Sequence, residues 1–209
     1  MLEKIRTSQS GGSFARKAVF SLLIFAFGVL LGVCAKALDE TPVNELPTLF
    51  QALDIGNFLS RLAIWIFLGM CLAVYSRTPG RAALNVFLFF LGMVGSYYLY
   101  SALAAGFFPR FYALIWFGIT AVSPLLACVC WYARGNGWAA VALSGILLGV
   151  LFSQAVLLLQ GIRITYWPEV LVWLASLWVL RRKPKEFAGE IVLSLVVALV
   201  WQIIMPYWG

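Results

Sequence analysis

The 209-residue chain is 63% hydrophobic and only 11% charged, against roughly 45–50% apolar and about 25% charged residues in a soluble domain. One core of this size cannot bury so much apolar surface, so the composition argues against a soluble globule and for lipid as solvent. The net charge of +7 does not mark a nucleic-acid binder, because the basic residues are spread over successive loops rather than gathered on one face or arm.

Residues 1–17, MLEKIRTSQSGGSFARK, are polar and basic and are expected to form a short flexible cytoplasmic tail. A single all-α domain, a polytopic bundle of transmembrane helices, is predicted over 18–209, with seven spans. The first, 18–37, is longer than the roughly 7–15-residue apolar region of a signal peptide, which predicts an uncleaved helix. An outer loop, 38–57, follows. It carries Asp39, Glu40, Glu45 and Asp54, two prolines and a short amphipathic piece at 46–53. The second span, 58–76, ends at RTPGR and the third, 82–106, at FFPR. The fourth, 111–132, contains Pro124 and ends at ARGNG; the fifth covers 138–159. Segment 166–180 contains Glu169 and is shorter than the about 17–25 residues a span needs, so the count falls to six if it is re-entrant. The basic stretch RRKPK precedes the last span, 188–207.

With the N-terminus inside, eleven of the fifteen Lys and Arg are cytoplasmic: Lys4, Arg6, Arg16, Lys17, Arg77, Arg81, Arg134, Arg181, Arg182, Lys183 and Lys185. Lys36, Arg61, Arg110 and Arg163 remain outside. That asymmetry follows the positive-inside rule and predicts a multi-pass protein of the cytoplasmic membrane. Asp39, Glu40, Glu45, Asp54 and Glu169 show the opposite skew. Three hairpins, 58–106, 111–159 and 166–207, share a topology without enough residue identity to indicate duplication.

No catalytic centre is expected. The chain has no histidine, the commonest general base and metal ligand. Cys128 and Cys130 lie about 200° apart on a helix and cannot chelate one ion together. Neither cofactor nor metal is expected, and the four cysteines read as small apolar filler rather than a disulfide framework.

Two GxxxG motifs, Gly28/Gly32 and Gly145/Gly149, place small residues on one helix face and predict close helix packing, within the chain or against a partner. GSYYLYS puts Tyr97, Tyr98 and Tyr100 in the outer half of the third span, where they suit an interfacial belt or the lining of a cavity. The outer cations Lys36, Arg61, Arg110 and Arg163 favour snorkelling or pairing with Asp39, Asp54 and Glu169. A sharper reading has Arg61, Arg110 and Arg163 converge with Tyr97, Tyr98, Tyr100 and Gln154 on an outward-facing polar pocket, where guanidinium forks would hold a carboxylate or phosphate. Pro124 breaks a backbone hydrogen bond that Ser123 is placed to help replace.

In size, basic N-terminus and long loop after the first helix, the chain resembles the substrate-binding membrane subunits of energy-coupling-factor vitamin transporters. That resemblance implies six helices and solute binding. It differs where those subunits carry an alanine-spaced contact motif in the first helix and this chain carries GxxxG. The function expected is binding or transport of a small anionic or polar solute. The alternative is an accessory or assembly subunit that holds a membrane-protein partner or a second copy through its GxxxG faces.

Overall fold

The computed structural model describes residues 5–205 apart from 10, 12, 105 and 160. Lys4 of the topology count, Ala105 of the third predicted span and residues 206–207 of the last lie outside the described residues. The chain is all-α: α1 (Phe14–Glu40), α2 (Thr48–Ala52), α3 (Ile55–Ser60), α4 (Leu62–Val74), α5 (Pro79–Ala104), α6 (Arg110–Ala133), α7 (Trp138–Ala155), α8 (Trp167–Leu180) and α9 (Pro184–Ile204). Strands β1 (Val156–Leu157) and β2 (Arg163–Ile164) form a two-residue antiparallel ribbon between α7 and α8.

Each predicted span falls on a helix, but the lengths differ. Among the described residues, α1, α5, α6, α7 and α9 are long and apolar enough to cross a membrane. The apolar helices α4 and α8 have 13 and 14 residues, about 20 Å of axis each against roughly 30 Å of bilayer hydrocarbon.

Local hydrogen bonding explains where the predicted ends were wrong. The first helix starts at Phe14, not 18, because the Ser13 Oγ accepts from the Arg16 N–H at 3.3 Å and caps it. The second span, predicted as one helix over 58–76, is interrupted at Arg61. Ser60 Oγ donates to the Asn57 carbonyl at 2.8 Å, which gives the backbone a local alternative to the helical ladder. The fifth span stops at Ala155 rather than 159. There Gln202 Nε2 donates to the Val156 carbonyl at 2.6 Å, while Gln202 Oε1 accepts from the Leu158 N–H at 2.9 Å. In α6, Ser123 Oγ donates to the Thr120 carbonyl at 2.8 Å, the acceptor that Pro124, lacking an N–H, leaves without its helical donor.

The chain divides into two compact units. The N-terminal unit comprises Gln9–Ser60 and Tyr75–Cys128. Its centre is the α1–α5 pair. Ser21 meets Asn85, Gly28 meets Phe89, Gly32 meets Met93 and Val29 meets Ser96, so contact positions rise together along both helices and the two run parallel. A Cβ on Gly28 or Gly32 would collide with the Phe89 or Met93 carbonyl. Glycine is what lets these backbones approach. Away from this seam α1 exposes Val19, Phe20, Leu22, Leu23 and Leu30, the apolar surface that lipid would cover.

The C-terminal unit comprises Met1–Ser8, Arg61–Val74 and Val129–Gly209. Met70, Val74, Ala133, Leu148, Val179 and Leu180 form its core. Here α7 and α9 make a second parallel pair: Gly145 faces Leu193, Gly149 faces Ser194 and Val197, and Ser153 meets Gln202. Both GxxxG faces are therefore filled inside the chain.

Candidate functional site

The predicted pocket residues are distributed over both units. In the N-terminal unit, Tyr97 Oη donates to Asp39 Oδ2 at 2.8 Å, and the Lys36 ammonium lies 5.4 Å over its ring. Lys36 also pairs with Asp39 and Glu40 at 3.5 and 3.2 Å. Tyr98 turns into an aromatic cluster with Phe108 and Phe117, at centroid distances of 5.8 and 6.1 Å. Tyr100 is half-buried and Arg110 exposed at the start of α6.

In the C-terminal unit, Arg61 makes a two-pronged ion pair with Glu169, Nε to Oε1 at 2.6 Å and Nη2 to Oε2 at 3.0 Å. Glu169 is fully buried, and its guanidinium partner also lies 5.4 Å over the Tyr166 ring. Gln154 is buried and Arg163 exposed on β2. Arg61 and Tyr97 thus already have carboxylate partners within their own units. The signal for both pairs was present in Asp39 and Glu169.

A different site emerges at the opposite end of the α1–α5 pair. Ser21 Oγ donates to Asn85 Oδ1 at 2.9 Å and accepts from Arg81 Nη2 at 2.8 Å. The same Nη2 donates to the Lys17 carbonyl at 2.8 Å. Asn85 Nδ2 reaches Ser76 Oγ at 3.4 Å. Ser21, Ser76 and Asn85 are 6%, 8% and 2% exposed, so this polar chain is an interior feature that fixes the Arg81 guanidinium. It underlies a cavity of about 410 Å³ whose wall carries Arg16, Lys17, Arg77 and Arg81, with Phe20 and Tyr75 beside them. The tail forms part of that wall: the Gln9 N–H donates to the Arg77 carbonyl at 3.0 Å.

The carboxylates of this unit, Asp39, Glu40, Glu45 and Asp54, all belong to the last turn of α1 and the segment after it. Lys17 and Asp39 are 22 residues apart on one continuous helix, about 33 Å along its axis. Among the described residues of the unit, no carboxylate at the cation end offsets the four positive charges, and neither α1 nor α5 has an acidic residue in its first turn. The resulting potential attracts anions.

Arg6 and Arg182 close helix ends in the C-terminal unit. Arg6 Nη1 donates to the Trp131 carbonyl at 2.7 Å and Nη2 to the Val74 carbonyl at 2.8 Å, with the guanidinium 4.3 Å over the Trp131 ring. Burial, reinforced by the nearby Arg134 charge, holds the Arg6 pKa below the ordinary arginine value. Arg182 donates to the Ala133 and Gly135 carbonyls and lies 3.6 Å from Glu190 Oε1. These contacts satisfy carbonyls left over at helix C-termini, where positive charge also opposes the dipole.

Arg16, Lys17, Arg77 and Arg81 carry only a topology signal in the sequence, and Asn85 is there one polar residue among several in the spans. The four cysteines are free, and among the described residues no group of three or more His, Cys, Asp or Glu is placed to hold a metal. Comparison of the chain with protein-family models, with curated proteins and with solved structures returns no match.

Proposed function

We propose that this chain is a multi-pass protein of the cytoplasmic membrane that crosses seven times with its N-terminus inside, and that it binds or transports a small anionic solute without catalysing a reaction on it. The parallel pairs support the count. Where α1 and α5 lie side by side and point the same way, the chain has to come back from the end of the first to the start of the second. The only helix there longer than six residues is α4. The α7–α9 pair demands the same of α8. Their shortness is accommodated by local thinning or by flanking non-helical residues. The charge separation along α1 supports the orientation, with the cation end cytoplasmic.

The observation that carries the solute reading is the four-cation cavity, far from any described carboxylate of its own unit. An outward pocket built on Arg61 and Tyr97 would first have to break their pairs with Glu169 and Asp39, so binding is assigned to the cation end. The accessory-subunit alternative loses its stated contact surface, since both GxxxG faces are occupied within the chain.

The test is thermal unfolding of purified protein at fixed ionic strength, with chloride replaced by di- and trivalent anions. Multivalent anions raise the midpoint of the wild type and not that of the Arg77→Gln/Arg81→Gln variant. Equal response of both proteins to every anion would refute the assignment. Reporter fusions at Asn136 and Gly161 check the topology, with the first expected cytoplasmic and the second external.

A further inference from the structure

The cation-lined cavity has a counterpart within the same chain. Gly28–Val33 reads GVLLGV and Gly145–Val150 reads GILLGV, and each begins the close-packed half of the first helix in a parallel pair. The second helices of the pairs, α5 and α9, both open on proline. Counted from Pro79 and Pro184, an arginine stands two residues before (Arg77, Arg182) and an alanine four residues after (Ala83, Ala188). Six residues after comes a buried polar side chain, Asn85 in α5 and Glu190 in α9. The pattern RxPxxxAx followed by Asn or Glu therefore occurs twice, at matching places in two parallel helix pairs.

The two occurrences differ in one charge. In α9 the buried residue is a carboxylate, and the arginine turns inward toward it: Arg182 and Glu190 side chains are 5% and 1% exposed and 3.6 Å apart. In α5 the buried residue is neutral. Asn85 is engaged by Ser21 and Ser76, Arg77 stays exposed, and an open volume of about 410 Å³ stands where cations gather. One pair carries its own anion; the other lacks one and has room for it.

Building on the anionic-solute reading above, we infer that the cavity takes from outside the chain the negative charge that Glu190 supplies from within, and that the group it takes is a phosphate ester. The cations come from three segments, α1 (Arg16, Lys17), the loop before α5 (Arg77) and α5 itself (Arg81), and so approach from several directions. A tetrahedral phosphate presents oxygens to each of them, whereas a planar carboxylate presents two in one plane. The volume exceeds a single phosphate group and leaves space for part of an organic substituent. Phe20 and Tyr75 flank that space, and Phe20 is continuous with the exposed apolar face of α1. A phospholipid headgroup and a free phosphate monoester share this chemistry.

The experiment measures binding to the full chain at constant ionic strength, with glycerol 3-phosphate and tricarballylate as free probes in phosphatidylcholine nanodiscs. The lipid arm compares retention of phosphatidylglycerol with phosphatidylcholine. Either glycerol 3-phosphate binding at one per chain, or selective retention of phosphatidylglycerol, supports the inference and identifies the source. In either case Arg77→Gln weakens binding tenfold or more, and Asn85→Glu, which places a carboxylate where α9 has Glu190, abolishes it. Tricarballylate binding as tightly as the phosphate probes would overturn the phosphate assignment and leave the anion reading standing. Absence of binding by any anion would overturn both. Should Asn85→Glu fail to fold, the exposed Arg77 carries the test: unchanged affinity in Arg77→Gln overturns the site.

Discussion

Replacing Gly92 by alanine tests the packing that creates the cation end. A Cβ there would lie 2.6 Å from the Phe25 carbonyl oxygen and 3.1 Å from the Val29 nitrogen. Both neighbours are backbone of α1, so no rotamer change can relieve the clash. Restoring ordinary contact near 3.4 Å requires the helices to part by about 0.8 Å. A gap of that width forfeits a quarter to a half of each van der Waals well of about 0.1–0.2 kcal/mol, which over ~40 atom pairs along the seam amounts to about 1–4 kcal/mol. At Gly95, one turn along the same helix, an added Cβ would meet nothing within 4 Å. There alanine only removes the backbone-entropy penalty of glycine, a gain of about 0.5–1 kcal/mol. The entropy gain is common to both variants, so they should differ by the packing loss alone, about 1–4 kcal/mol. For a chain of this length that corresponds to roughly 2–16 °C in Tm, readable by size-exclusion thermal shift in detergent. Gly92→Ala matching or exceeding Gly95→Ala in stability would refute the close α1–α5 approach.

Removing the guanidinium in Arg61→Gln leaves Glu169 buried without its ion-pair partner, at a cost of about 3 kcal/mol, toward the lower end because the Arg61 side chain is 32% exposed. The Arg61→Met/Glu169→Leu double variant should recover most of that stability in the same thermal assay. Arg6→Ala removes two hydrogen bonds to helix-end carbonyls and should lower stability by about 1.5–3 kcal/mol, with faster proteolysis after Arg6-proximal residues in the native protein. Ser123→Ala strips the Thr120 carbonyl of its substitute donor and should cost about 1 kcal/mol. Restoring the backbone donor as well, in Ser123→Ala/Pro124→Ala, should return that loss.

The helices were legible because each apolar run is long and bounded by charge, glycine or proline. Their ends were not, where a side chain outcompetes the ladder: Ser60 Oγ at the Arg61 break and Gln202 at the end of α7 act across spacings that a periodicity does not reveal. Pro124 with Ser123 was legible, since donor and vacancy are neighbours in sequence. The Lys36 and Arg61 pairs lay among the options left open by Asp39, Asp54 and Glu169. The cation cavity is not legible in the sequence, because its residues come from α1, the loop before α5 and α5 itself and there carry only a topology signal. One signal was available. Ser21, Gly28 and Gly32 are spaced seven and four apart, and so are Asn85, Gly92 and Ser96, which puts each set on one helix face. Matching those faces would have brought Arg81 beside Lys17.

The central claim is that the cation end of the α1–α5 pair holds an anion from outside the chain. Native mass spectrometry of the protein released from mixed-lipid nanodiscs, with and without added glycerol 3-phosphate, tests it most directly. The wild type should retain one phosphate-bearing adduct per chain, phospholipid or phosphate ester, while Arg77→Gln and Asn85→Glu fly without it. An adduct retained equally by all three proteins, or none on the wild type, would contradict the account.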